Sequence, residues 1–171
     1  MQLFNQMEVK SFLQTKYFTY LSIEEDYNAA AAMVRERMKF SGGKLITDIF
    51  GYIEVRYQNK IFLTEIYSDD LDYLWPNYLK LIEAFILRGE ASISFSNSQA
   101  LITIKQVHNQ LYFQVHNKKI VLPSREFLIT MLTGSKRFFQ FLIDITGNTN
   151  MKLQLDKAQQ LEEKIRDKYY K

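Results

Sequence analysis

The stretch ASISFSNSQALITIKQVHNQLYFQVHNKKIVLP, residues 91–123, decides the fold. Four short runs, roughly 91–95, 100–107, 111–116 and 119–122, are separated by Ser96-Asn97-Ser98, Asn109-Gln110 and Asn117-Lys118. Their Ile, Val, Phe and Tyr residues suit a pleated, half-buried surface, and the Asn and Ser residues supply turns. Connections this short make the neighbours antiparallel, because a parallel return needs a long crossover. The segment therefore reads as a four-strand meander.

Downstream, Pro123 stops the last strand and Ser124 is placed to cap a helix. Phe127, Leu128, Met131, Leu132, Phe138, Phe139 and Leu142 form its inward face. Gly134 reads as a break, a kink or a close packing point, and Gly147 as the end. Residues 151–171 follow as an amphipathic helix with a narrow stripe of Leu155, Ala158, Leu161, Ile165 and Tyr169. The stripe is expected to dock on the body or to pair with a partner, a homodimer through this helix included.

Upstream, Trp75, Leu79, Ile82, Phe85 and Ile86 recur at helical spacing. Ser68-Asp69-Asp70-Leu71-Asp72 is a helix-start signal, Pro76 is expected in the first turn, and Gly89 in a left-handed C-cap. Before that helix, Ile53, Val55 and Tyr57 alternate with Tyr52, Glu54 and Arg56. With a turn at Gln58-Asn59-Lys60 and a strand over Ile61 to Tyr67, this predicts a hairpin. Gly51 marks a bulge or a close approach.

Residues 1–40 are the least legible. Aromatic and β-branched residues over Thr15 to Ile23 favour a strand, with Phe12, Tyr17, Phe18, Tyr20, Leu21 and Ile23 as core candidates. Glu24-Glu25-Asp26 then opens a helix through the alanines 29–32, which Ser41-Gly42-Gly43 ends. The sum is one α+β domain over residues 1–171. Its antiparallel strands, a hairpin plus the meander, carry helices mainly on one face, and the C-terminal helix over 148–171 is peripheral.

Composition agrees with a packed core: 171 residues, 47% hydrophobic, with 13 Phe and 11 Tyr but only 6 Gly and 2 Pro. There is no cysteine, which excludes disulfides, thiolate nucleophiles and zinc–thiolate sites. Glu8 and Lys10 interrupt any leader-like apolar run at the start, and no apolar stretch approaches the roughly 20 residues of a membrane span. A cytoplasmic location without membrane contact is expected. The net charge of +3 hides a split, because no acid occurs from Ala91 to Arg125 while acids gather between residues 65 and 90.

Each candidate site has a structural alternative. Asp69, Asp70 and Asp72 suit a cation or a basic protein surface, but also a helix N-terminus. Trp75 is a candidate partner anchor, although its register makes it core. His108 and His116 lack an orienting carboxylate in sequence and read as turn-edge residues. Lys105, Tyr112, Phe113, Lys118, Lys119 and Arg125 would make a basic, aromatic sheet face of the kind that binds single-stranded nucleic acid. Lysines at strand edges equally guard against aggregation. Gly42-Gly43-Lys44 lacks the flanking residues of a phosphate loop. No catalytic motif, metal set or cofactor site is legible.

The layout resembles the small immunity proteins of bacterial polymorphic-toxin and contact-dependent inhibition systems. The resemblance rests on Gly43-Lys44-Leu45-Ile46-Thr47-Asp48, the hairpin Tyr52 to Tyr67, and Asp69-Asp70-Leu71-Asp72-Tyr73-Leu74-Trp75 opening a helix. The four-strand run and the aromatic helix Arg125 to Asp144 complete it. It is a likeness of pattern over residues 40–146, so it transfers no functional residue. It implies a non-enzyme that neutralises one cognate toxin by occlusion. The departure is the net basic charge, since immunity proteins against nucleases are often acidic. On this reading Asp69, Asp70, Asp72, Trp75 and Glu83 form the partner-facing patch. Two other classes stay open: a nucleic-acid-associated protein using the acid-free strands, and an enzyme whose residues meet only in three dimensions.

Overall fold

A computed structural model describes residues 7–41 and 44–170, and of 39–41 and 44–46 the strand pairing alone. In chain order, β1 (Met7–Gln14) and β2 (Tyr20–Ser22) form a hairpin, followed by α1 (Tyr27–Arg37). A small ribbon of β3 (Lys39–Ser41) and β4 (Lys44–Ile46) comes next. Then come β5 (Phe50–Tyr57), β6 (Lys60–Leu63), a 3-10 turn at Glu65–Tyr67 and the short β7 (Asp69–Asp70). The long α2 (Leu71–Arg88) leads into the meander β8 (Glu90–Ser94), β9 (Leu101–Val107), β10 (Gln110–Val115) and β11 (Lys118–Pro123). Two helices, α3 (Ser124–Thr146) and α4 (Asn150–Tyr169), finish the described chain.

The fold is α+β with antiparallel sheets, as the sequence predicts, but the hairpin and the meander belong to separate sheets. The first sheet runs β2-β1-β5-β6, with β7 also on β5; the second runs β11-β10-β9-β8. Both α2 and α3 touch both sheets, and one apolar cluster spans them all.

The meander strands lie within a residue or so of their predicted bounds. The N-terminal region differs more. The predicted strand over 15–23 is a tight turn, Thr15 to Thr19, followed by three residues of β2. Tyr17 and Phe18, counted as core candidates, sit on that turn and are 74% and 80% exposed. An internal strand of the first sheet is β1, paired with β5 from Met7↔Tyr57 to Leu13↔Gly51. The α1 helix ends at Arg37, before Ser41, and Gly42 and Gly43 lie outside the described residues.

Strand alternation puts Val9, Ser11 and Leu13 with Ile53 and Val55 on the core face. Gly51 is a close-approach position: a Cβ there would lie 1.9 Å from the Phe12 carbonyl oxygen. Gly134 is another, since its Cβ would meet Val9 Cγ1 at 2.5 Å and the Trp75 ring at 2.9 Å. The other face of the first sheet is not wholly polar. Tyr52 is buried there, stacked on Phe12 at 4.8 Å and met edge-on by Tyr20 at 4.8 Å. Burial, aided by Glu54 and Glu65, pushes its phenol up to about 12.

Pro76 is inside α2, in its second turn rather than its first, so the Asp72 carbonyl lacks its usual i+4 donor. Gly89 ends α2 at φ 75°, in the left-handed cap its position predicts. Ser124 is the first residue of α3 rather than its cap, and its hydroxyl donates to Gln106 Oε1 at 3.0 Å. The α4 stripe is spent within the chain. Ala158, Leu161 and Ile165 are buried, and α4 packs on α3 and α2. This removes the physical basis for a homodimer through that stripe.

Candidate protein-binding surface

Asp69, Asp70 and Asp72 behave differently although they are near neighbours. β7 pairs with the start of β5, as Phe50↔Asp70 and Gly51↔Asp69, and so fixes their directions. Asp69 points inward and is 4% exposed. Its carboxylate accepts from the Asn97 amide Nδ2 at 2.9 Å, the Asn97 backbone N–H at 3.3 Å and the Asp70 N–H at 2.8 Å. It ties the edge of the first sheet to the turn after β8 and is closed to a partner.

Asp70 and Asp72 point outward and are exposed. Asp48, 22 positions before Asp70, joins them through the same strand pairing. The carboxyl of Asp70 is raised first by local desolvation, then by Asp69 and Asp48. That of Asp72 is raised by desolvation, then by Asp70, with Asp48 and Asp69 adding to it. Tyr73 (39% exposed) and Ile66 (61% exposed) add apolar surface in the flanking sequence.

With Asp69 closed, two more members of the sequence-derived patch fall away. Trp75 is fully buried, its indole N–H donating to Ser11 Oγ at 2.9 Å, with Phe138 6.4 Å away ring to ring. Glu83 accepts from Lys157 of α4 at 2.7 Å, an ion pair internal to the chain and about 16 Å along α2 from Asp72. The acidic corner is therefore Asp48, Asp70 and Asp72. Asp48 is not recognisable in sequence, because only the β5–β7 pairing brings it in.

The basic face is also thinner than expected. Lys105 and Tyr112 are direct cross-strand partners on the outer face of the meander, and Lys119 shares that face opposite Gln114. Phe113 is buried on the inner face, against Phe127 and Phe62. Lys118 has the parity of Val115, at the hairpin end. Arg125 lies on α3 with its guanidinium 4.0 Å over the Tyr170 ring. Lys105 is 3.7 Å from Glu90, an exposed pair of little energetic weight. Both histidines occupy exposed turn positions with positive φ, 55° at His108 and 50° at His116.

Open hollows of about 390, 430 and 360 Å³ run along α3. The most polar groups facing them are already engaged. Glu24 accepts the Ser11 N–H at 3.0 Å and the Ser22 hydroxyl at 3.3 Å, and Arg137 donates to the Val9 carbonyl at 3.1 Å. Burial raises the Glu24 carboxyl against those hydrogen bonds. These side chains finish the edge of β1. Among the described residues, no three of His, Cys, Asp and Glu converge to hold a metal ion, and no helix is long and apolar enough to cross a membrane. No protein-family model matches the chain, and none of the curated proteins or solved structures compared with it is similar beyond chance.

Proposed function

We propose that the chain is a non-catalytic protein-binding domain of the immunity or antitoxin kind, which neutralises a cognate toxin by covering it. The observation that carries this reading is the exposed group of Asp48, Asp70 and Asp72. Desolvation and neighbouring acids raise the carboxyls of Asp70 and Asp72, and among the described residues no Lys or Arg forms an ion pair with any of the three. A basic partner surface supplies the missing counter-charge and gains association rate and specificity from it. The pairing of β7 on β5 directs Asp70 outward, with Asp48 just ahead of β5 and Asp72 in the first turn of α2, so the acids sit on ordered backbone before a partner arrives. The layout resemblance to immunity proteins supports the same reading and brings with it a bacterial cytoplasmic setting. Co-expression with the product of the adjacent reading frame tests it. The chain should suppress that product's toxicity and co-purify with it; unaltered toxicity without a complex rejects the proposal.

A nucleic-acid reading keeps one favourable observation, the shared outer face of Lys105, Tyr112 and Lys119. It requires binding to single-stranded RNA or DNA that weakens steeply with salt. Binding that is absent or indifferent to salt dismisses it.

A further inference from the structure

β2 covers only part of β1. On one side β1 is paired with β5 from Met7 to Leu13. On the other, β2 reaches only Phe12 to Gln14, with one further bond from the Ile23 N–H to the Ser11 carbonyl at 2.9 Å. Strand alternation points the N–H and C=O of Met7 and Val9 the same way as those of Ser11, away from β5. Two side chains stand where a strand would continue. Glu24 takes the Ser11 N–H at 3.0 Å, and Arg137 donates to the Val9 carbonyl at 3.1 Å. The Val9 N–H and both main-chain groups of Met7 have no partner among the described residues.

This open edge is one wall of a channel. Met7, Ile129 and Thr130 line both the 390 Å³ and the 430 Å³ hollow, and Glu24 and Arg137 line both the 390 Å³ and the 360 Å³ hollow. The three hollows therefore join beside α3, from Arg125 to Asp144, over about 28 Å. Ile129, Thr130 and Thr133 line the middle, so α3 adds no charge there. At the end beyond Met7, Arg125 and Arg166 face a single acid, Glu126. The Arg125 guanidinium lies 4.0 Å over the Tyr170 ring, and Arg166, bonded to Glu162 at 2.6 Å, keeps further N–H donors.

We propose that an extended segment of another protein binds in this channel as an added strand on β1. A partner helix would keep its backbone groups bonded to itself and leave the edge unsatisfied. An extended chain supplies a carbonyl for the Val9 N–H and a donor and acceptor for Met7. About eight extended residues span the channel. Every strand pair in the first sheet is antiparallel. The same sense on β1 carries the C-terminal end of the segment past Met7 to Arg125 and Arg166. The ligand is therefore an extended peptide, neutral where it passes Ile129 to Thr133 and acidic at its C-terminal end. No residue of the acidic corner takes part, so this binding is independent of the toxin reading.

Hydrogen exchange of the full chain, followed by NMR, tests it with the acetylated peptide Thr-Val-Thr-Val-Thr-Val-Thr-Glu bearing a free C-terminal carboxylate. In the chain alone the Val9 amide should exchange at least about tenfold faster than that of Lys10, which faces β5. Saturating peptide should slow the Val9 amide by about tenfold or more. The same peptide N-methylated throughout keeps its side chains and carboxylate but cannot add as a strand, and it should not bind. Arg125→Glu should weaken binding several-fold. Thr133→Trp, at an exposed position, fills the channel and should abolish binding with the melting temperature unchanged. A Val9 amide as protected as that of Lys10 before peptide is added overturns the proposal. So does the absence of peptide binding, or binding that survives N-methylation or Thr133→Trp.

Discussion

Ser11 shows how one side chain sets a neighbour's role. It occupies a core position of β1, fully buried, and its hydroxyl accepts the Trp75 indole N–H. Ser11→Ala leaves that N–H unpaired in the core and should cost about 1–3 kcal/mol, read by urea unfolding. An unchanged midpoint would contradict the assignment of Trp75 as a hydrogen-bonded core residue. Asp72 makes the opposite prediction. Its folded-state carboxyl is raised, so ionising it penalises the fold, and stability is regained as pH falls through the raised range. Asp72→Asn should therefore raise the melting temperature at pH 7, with the gain vanishing at about pH 3. For Glu162, burial alone would raise the carboxyl, but hydrogen bonds from Lys136 and Arg166 (2.6 Å) lower it instead. That stability exists above the unfolded carboxylate value and is lost as pH falls through the lowered one. Glu162→Gln should destabilise at pH 7 and have little effect in acid, as thermal unfolding at both pH values will report. In sequence, the three aspartates look equivalent; separating Asp69 from its neighbours requires the partner Asn97, 28 residues away.

At the scale of elements, legibility followed the agreement between local pattern and burial. The meander and α2 were readable because their apolar periods match the faces they bury. β1 was not, because Ser11 interrupts its inward row while Phe12 adds an apolar residue to the outward one. Tyr17 and Phe18 misled for a similar reason, since hydrophobicity alone does not distinguish a core position from a presented tip. Pro76 exposes an element under local conflict. It sits in the second turn of a helix otherwise fixed by Leu71, Leu74, Tyr78 and Leu79 in the core. Pro76→Ala restores a donor to the Asp72 carbonyl and should stabilise the chain by about 2 kcal/mol. A loss of stability in chemical denaturation would mean that the ring's packing outweighs the helix bond.

Over the whole molecule, two sheets share one core through α2 and α3, and α4 closes it with its own apolar stripe. The acidic corner arises from that assembly: β7, too short to recognise as a strand, pins Asp70 beside Asp48 at the mouth of α2. The charge split along the sequence thus narrows to three carboxylates, while Glu83 is consumed internally by Lys157. The most direct test is the association rate between this chain and its proposed toxin partner, compared for the native chain and Asp48→Asn/Asp70→Asn/Asp72→Asn. The account predicts that the triple variant associates at least about tenfold more slowly at low salt, with the difference shrinking as salt is added. Equal rates at low salt would contradict it.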